Sequence, residues 1–285
     1  MRINRIKSGM HSKAEVIIDS KTQVGAQRAL NLILACISLY AGEPVIPFLD
    51  VEALAYRDED IKSLPLDEKV QFSRRHWLSH IPISCVIAAK ASHRRKYIYA
   101  ISKYSFSITN FSLFHVELDP FMAQHIPVSP YPDDHVRFCY AIVSAYSLLE
   151  ELGLEIRASQ DNPSMIGGKW NPSVKKNLEN RLRRAGINLK ETLSWTLRGP
   201  KKKIELEKSP LLLSKEKWAY GLMVRDASIE LLDAIAYASW LRSYVSSHKT
   251  KDITTAVSAY DVINVQHLAR RLILESLGYW RYQQN

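Results

Sequence analysis

Two apolar segments close the chain, and they constrain its fold more than anything upstream. Residues 225–248 read RDASIELLDAIAYASWLRSYVSSH, and residues 258–280 read SAYDVINVQHLARRLILESLGYW. From Asp226 to about Val245, apolar side chains fall on nearly every face of a helix. Such a helix has no side to give to water and must be buried among other helices. In the second segment Val262, Val265, Leu268, Ala269, Leu272 and Ile273 share one face at helical spacing. Ser258 and Asp261 offer a capping-box start to it, and Gly278 a stop.

The same reading extends upstream. Residues 20–41 form a helical pattern with Ser20 as cap, Leu30, Ile33, Leu34 and Ile37 as core, and Gly42 with Pro44 as terminator. Ile83 to about Ser107 lacks Gly and Pro and reads as one long helix, although its Tyr, Ile and Phe content keeps strands open. PVSPYPDD, residues 127–134, carries three prolines in eight residues and marks the expected domain boundary. Beyond it, Val136, Cys139, Tyr140, Val143, Tyr146, Leu148 and Leu149 give a core-facing helix ended by Gly153. Asn171 and Pro172 open another helix, which Gly186 closes. RGPKKK reads as an exposed turn whose flanks can form a hairpin. Only ten glycines are present, against a many-turned all-β chain. The expected fold is mainly α. A C-terminal helical bundle spans residues 131–285, with a basic insert at 154–215. A smaller, mostly helical N-terminal region of unassigned role, 1–130, precedes it.

Size and composition narrow the function classes. The 285 residues are 46% hydrophobic and 24% charged, which suits a folded chain. A net charge of +10 fits polyanionic partners, nucleic acid or acidic membrane surfaces, and equally a basic solvated surface. The start, MRINRIKSGMHSK, has no apolar core of a secretory signal. The most apolar run, ALNLILACISLYA, is thirteen residues, short of the roughly twenty a membrane span needs. It reads as a core helix, with no membrane partner and a cytoplasmic location. Cys36, Cys85 and Cys139 are odd in number, far apart and form no CxxC pair, which favours reduced thiols over zinc or disulfides. No cofactor and no metal are expected.

Between residues 175 and 208 there are eleven Lys or Arg and four Glu. Arg181, Arg183 and Arg184 lie within two turns of one helix, and Lys201, Lys202 and Lys203 follow a Gly-Pro turn. Cations at such density neutralise phosphates and release counterions, giving affinity without sequence preference. Trp195 and Trp170 are interspersed and offer stacking on bases. The competing structural role is a pair of core tryptophans beneath a solvated charged face.

Arg242 and His248 frame the heptapeptide RSYVSSH. Three other Arg–His pairs of similar spacing occur, so position carries the reading. At 100° per residue Arg242 shares a face with Leu231, Ile235 and Ala238, where a guanidinium needs a partner. That partner is a carboxylate such as Glu150, Glu151 or Glu275, a subunit interface, or a bound phosphate. His248 follows where the chain reaches solvent at Lys249. Arg clamps phosphate and His shuttles a proton near neutral pH, which together suffice for RNA cleavage.

With Arg242-SYVSS-His248 at the end of a bundle helix, residues 134–285 resemble the HEPN family, helical domains of prokaryotic defence, toxin and RNA-processing systems. The resemblance implies a metal-independent endoribonuclease completed by homodimerisation through the C-terminal helices. In such a site the ribose 2′-OH attacks the adjacent phosphate, Arg242 stabilises the phosphorane charge and His248 acts as acid or base. A polar residue that the family often carries near the Arg has no clear counterpart here, since Asp233 falls about opposite Arg242 in helical phase.

Two other functions fit the residues. One is a non-catalytic nucleic-acid-binding or assembly subunit that uses the basic insert. The other is a metal-dependent hydrolase: FHVELDP sets His115, Glu117 and Asp119 at alternate positions, on one side of a strand if a strand forms there. Gly167-Gly168-Lys169 lacks phosphate-loop spacing and reads as a turn. Asn264, His267 and Arg271 form a stripe expected to be a solvated or interface edge.

Overall fold

A computed structural model describes residues 2–8, 11–18, 20–42, 44, 80–111, 132–198, 224–247 and 257–280. Helices dominate them, as expected. In chain order these are α1 Gln23–Ala41, α2 Ile81–Ser92, α3 Arg95–Asn110, α4 Pro132–Leu152, α5 Pro172–Arg184, α6 Leu231–Ser247 and α7 Ala259–Leu277. Three antiparallel strand pairs accompany them: β1 Arg2–Ser8 with β2 His11–Ile17, β3 Met165–Ile166 with β4 Lys169–Trp170, and β5 Leu193–Arg198 with β6 Val224–Ile229.

Helix ends follow the local signals closely. Thr22, two residues past Ser20, caps α1 by accepting from the Gly25 amide. Gly42 closes α1 at φ 78°, and the Arg270 guanidinium lies 3.2 Å from where a side chain there would begin. Asn171 caps α5 by accepting from the Ser173 amide, with Pro172 in its first turn. At the start of α7 the Asp261 carboxylate accepts from the Ser258 amide and hydroxyl, both at 2.8 Å. Gly167 and Gly168, both at positive φ, make the two-residue turn joining β3 to β4.

Packing revises three sequence-based spans. The single helix expected over 83–107 is two, broken at His93 and Arg94. Ala91 is the last buried residue of α2 and Tyr97 the first of α3. Six residues at 100° each put them about 120° out of phase, so one straight helix would aim half its apolar stripe at water. The helix expected from Asp226 begins at Leu231, because residues 224–229 pair with β5 as strand β6. In α4 the buried face is carried by Phe138, Ala141, Ile142, Ala145, Tyr146, Leu148 and Leu149, whereas Val136 and Tyr140 are exposed. The β1–β2 hairpin is an addition to the helical N-terminal region.

One buried cluster runs from Ile33 in α1 through Leu277 in α7 and includes Leu178, Leu182, Leu193 and Trp195 of the basic insert. Helices α3 and α4 lie antiparallel: the Ser107 hydroxyl donates to the Ala141 carbonyl at 2.7 Å, and the Ser144 hydroxyl to the Lys103 carbonyl at 2.8 Å. Helix α7 also opposes α3, its Gln266 amide donating to the Phe111 carbonyl at 2.7 Å while Tyr97 donates to the Ser276 carbonyl at 3.3 Å. By length and hydropathy α1 would suit a membrane span, yet its second half, from Ile33 to Leu39, is buried in this core.

The free edge of β5 is closed by a side chain. Asn264 of α7, 3% exposed, donates to the Thr196 carbonyl at 2.8 Å and accepts from the Thr196 amide at 2.9 Å. Its amide thus replaces a neighbouring strand. Asn264→Ala removes both of these bonds and is expected to cost about 1–3 kcal/mol. A urea midpoint that does not move would show that Thr196 finds other partners.

Candidate functional site

Arg242 stands on α6 one turn before its end, where the buried face built by Leu231, Ile235 and Ala238 reaches the surface. Its guanidinium donates to the Glu150 carboxylate of α4 at 3.2 Å. The side chains of this pair are 41% and 40% exposed, so the pair is a surface one and not the buried one that helical phase suggested. Tyr146, 3% exposed, lies beside both groups and is held by Ser239. Burial raises its phenol above the ordinary tyrosine range, so it stays protonated at neutral pH. An accessible cation and a carboxylate thus meet at the surface, with the buried phenol within reach of their charges. His248 lies outside the described residues.

The proposed nucleic-acid residues separate into distinct environments. Arg181 is internal: its side chain is 14% exposed and donates to the Gly153 carbonyl at 2.6 Å and the Glu155 carbonyl at 2.7 Å. It caps the chain leaving α4 and is not available to a phosphate. Burial lowers its pKa, partly opposed by the nearby Glu155. Arg183 is exposed, 3.4 Å from Glu179 one turn earlier, and Arg184 is exposed. Lys201, Lys202 and Lys203 lie outside the described residues, as do His115, Glu117 and Asp119.

Trp195 is 1% exposed, with its ring edge-on to Tyr237 at 5.3 Å, so it offers no face to a base. Trp170 donates to the Asp233 carboxylate at 2.9 Å and packs against the core. Trp195 is thus a core tryptophan, and Trp170 is half-buried against that core. Because the Trp195 Nε1 has no hydrogen-bond partner among the described residues, Trp195→Phe loses ring volume but no bond. We expect it to cost about 1–3 kcal/mol and leave RNA affinity unchanged. Parallel thermal melts and RNA titrations check this, and weakened binding at full stability would restore the stacking role.

The stripe on α7 is likewise internal at two of its three positions. Asn264 closes β5, and Arg271 is 1% exposed among carbonyls and carboxylates. Tertiary partners, which single-helix phase does not encode, explain their burial. The thiols of Cys36, Cys85 and Cys139 are all raised by burial, away from the thiolate a nucleophile requires. Among the described residues no group of three His, Cys, Asp or Glu is placed to hold a metal ion.

Sequence reasoning missed two features. Tyr146 was read as core alone, although it adjoins Arg242. His93, Arg94, Arg95 and Lys96 were read as helix, yet they form an exposed turn and first helical turn. The available signal was the absence of any Asp or Glu from residue 69 to 116, a stretch with eight Lys or Arg. Comparison with protein-family models, with curated proteins and with solved structures gives no match for this chain.

Proposed function

We propose that this chain is a metal-independent endoribonuclease of the HEPN type, with Arg242 and His248 as its catalytic pair. The observation that carries the reading is the placement of Arg242. It is accessible, near the end of a core helix, and held by a carboxylate from another helix. An exposed ion pair of this kind contributes about 0–1 kcal/mol, so a phosphate displaces Glu150 at little cost. Glu150 also supplies the polar residue beside the Arg that the resemblance asks for. In the reaction the 2′-hydroxyl attacks the adjacent phosphorus and the 5′-oxygen leaves. One imidazole takes the 2′-hydroxyl proton, water protonates the departing 5′-oxygen, and Arg242 balances charge on the non-bridging oxygens.

Incubation with varied RNAs in EDTA tests the reading: fragments ending in 2′,3′-cyclic phosphate and 5′-hydroxyl are expected. Cleavage that stops on chelation would move the chemistry to the metal-dependent reading. Glu150→Gln, which removes the carboxylate that a phosphate displaces, is expected to change stability by less than about 1 kcal/mol.

The second reading is a non-catalytic nucleic-acid-binding subunit. It is favoured by the same ion pair, in which the Glu150 carboxylate satisfies the Arg242 guanidinium. Tight RNA binding without cleavage on any substrate supports it.

A further inference from the structure

We propose that the end of the bundle where α7 finishes is a contact surface for the phosphate backbone of single-stranded nucleic acid. Two basic segments remote in sequence converge there. Helices α2 and α3 are tied to the last turn of α7 by Lys90, which donates to the Leu277 carbonyl at 2.5 Å, and by Tyr97, which donates to Ser276. That fixes the intervening turn with Arg94, Arg95 and Lys96. The Asn188 amide donates to the Glu275 carboxylate of the same turn at 2.6 Å, with Arg184 four residues before Asn188 and Lys190 two after it. The anchors fall within one turn of α7, roughly 5 Å of helix rise.

These five cations are exposed, and none forms an ion pair within 4 Å among the described residues. Arg94, Arg95 and Lys96 also crowd the start of α3, where the helix dipole is positive and the N-cap residue, Arg94, makes no side-chain cap. Like charges at that end repel one another and the dipole, and an anion relieves both. Tyr99, 42% exposed, adds an aromatic face: Arg95 lies 5.1 Å from its ring centroid and donates to its hydroxyl at 2.8 Å. The surface leads to Arg242 across the last turn of α4, where Glu151 holds Lys103 at 2.8 Å and its neighbour Glu150 holds Arg242. The choice of RNA as strand rests on the ribonuclease reading, whereas the phosphate contact stands without it.

The test is titration of a fluorescent single-stranded RNA with the full chain over a range of salt. The first variant carries Arg94→Gln, Arg95→Gln and Lys96→Gln; the second carries Arg184→Gln and Lys190→Gln. A control matching the charge lost in the first variant carries Lys21→Gln, Arg28→Gln and Arg137→Gln, exposed positions elsewhere. At low salt the first variant is expected to lose at least tenfold in affinity. The slope of log K against log salt is expected to flatten by about 2 in the first and about 1.4 in the second, at ~0.7 per phosphate. The control retains wild-type binding and slope. Binding unchanged in both variants, or lost equally in the control, overturns the proposal. So does binding to phosphatidylserine vesicles in place of RNA. If RNA is bound as predicted but never cut, this surface stands and the ribonuclease reading falls.

Discussion

Arg271→Ala is expected to destabilise the fold by about 3–5 kcal/mol, the range for removing one partner from a buried ion pair. The Arg271 side chain is 2% exposed. Its guanidinium donates to the Thr192 and Asn188 carbonyls, both at 3.1 Å, and to the Glu191 carbonyl at 3.3 Å. It also donates to Glu275 at 3.2 Å, whose carboxylate is 10% exposed. One side chain therefore satisfies three carbonyls of the loop before β5 and balances a largely buried charge. Alanine strands all of them, while the Asn188 amide still holds Glu275. Arg271→Lys is expected to fall between, since one ammonium replaces a planar fork whose donors point along fixed directions. Urea unfolding should show a lower midpoint at unchanged slope. A loss below about 1 kcal/mol would mean that water satisfies this loop when the guanidinium is gone.

Arg271 also shows where sequence reading stops. The segment Val262 to Leu274 alternates apolar and polar residues, and helical phase assigns the polar stripe to water. In the fold that stripe meets backbone: Asn264 closes a strand edge and Arg271 gathers carbonyls from residues 188–192. Their partners lie some 70–80 residues away, and no local periodicity encodes such pairing. Arg181 is misread for the same reason, being a basic residue in a basic helix that closes the end of α4. Local chemistry was legible. Asn171 with Pro172, Ser258 with Asp261, and Gly42, Gly153, Gly186 and Gly278 at positive φ stand where their own preferences put them. The break between α2 and α3 lies between these cases: no Gly or Pro marks it, but the jump in apolar phase from Ala91 to Tyr97 does. At the candidate site, the sequence named Arg242 and offered Glu150 among its possible partners. Their exposure and the neighbouring phenol came from packing against α4.

The other large effect concerns the Arg–His pair. Removing a positioned acid–base group costs about 10²–10⁴-fold in rate, so His248→Ala is expected to reduce RNA cleavage by that factor. A rate that changes with pH across neutrality, where imidazoles exchange protons, is expected in the wild type and is lost in the alanine variant. Arg242→Ala removes the charge that meets the phosphorane and is expected to act on the same scale. Stability responds differently. The Arg242–Glu150 pair is about 40% exposed on both sides, so its loss leaves the fold within about 1 kcal/mol of wild type. A large fall in rate with an unmoved unfolding midpoint thus separates chemistry from structure.

The most direct measurement is single-turnover RNA cleavage in EDTA by wild type, His248→Ala and Arg242→Ala, each with its unfolding midpoint determined. The account predicts cleavage by wild type and a fall of at least a hundredfold in both variants at unchanged stability. Cleavage by His248→Ala at the wild-type rate would contradict it.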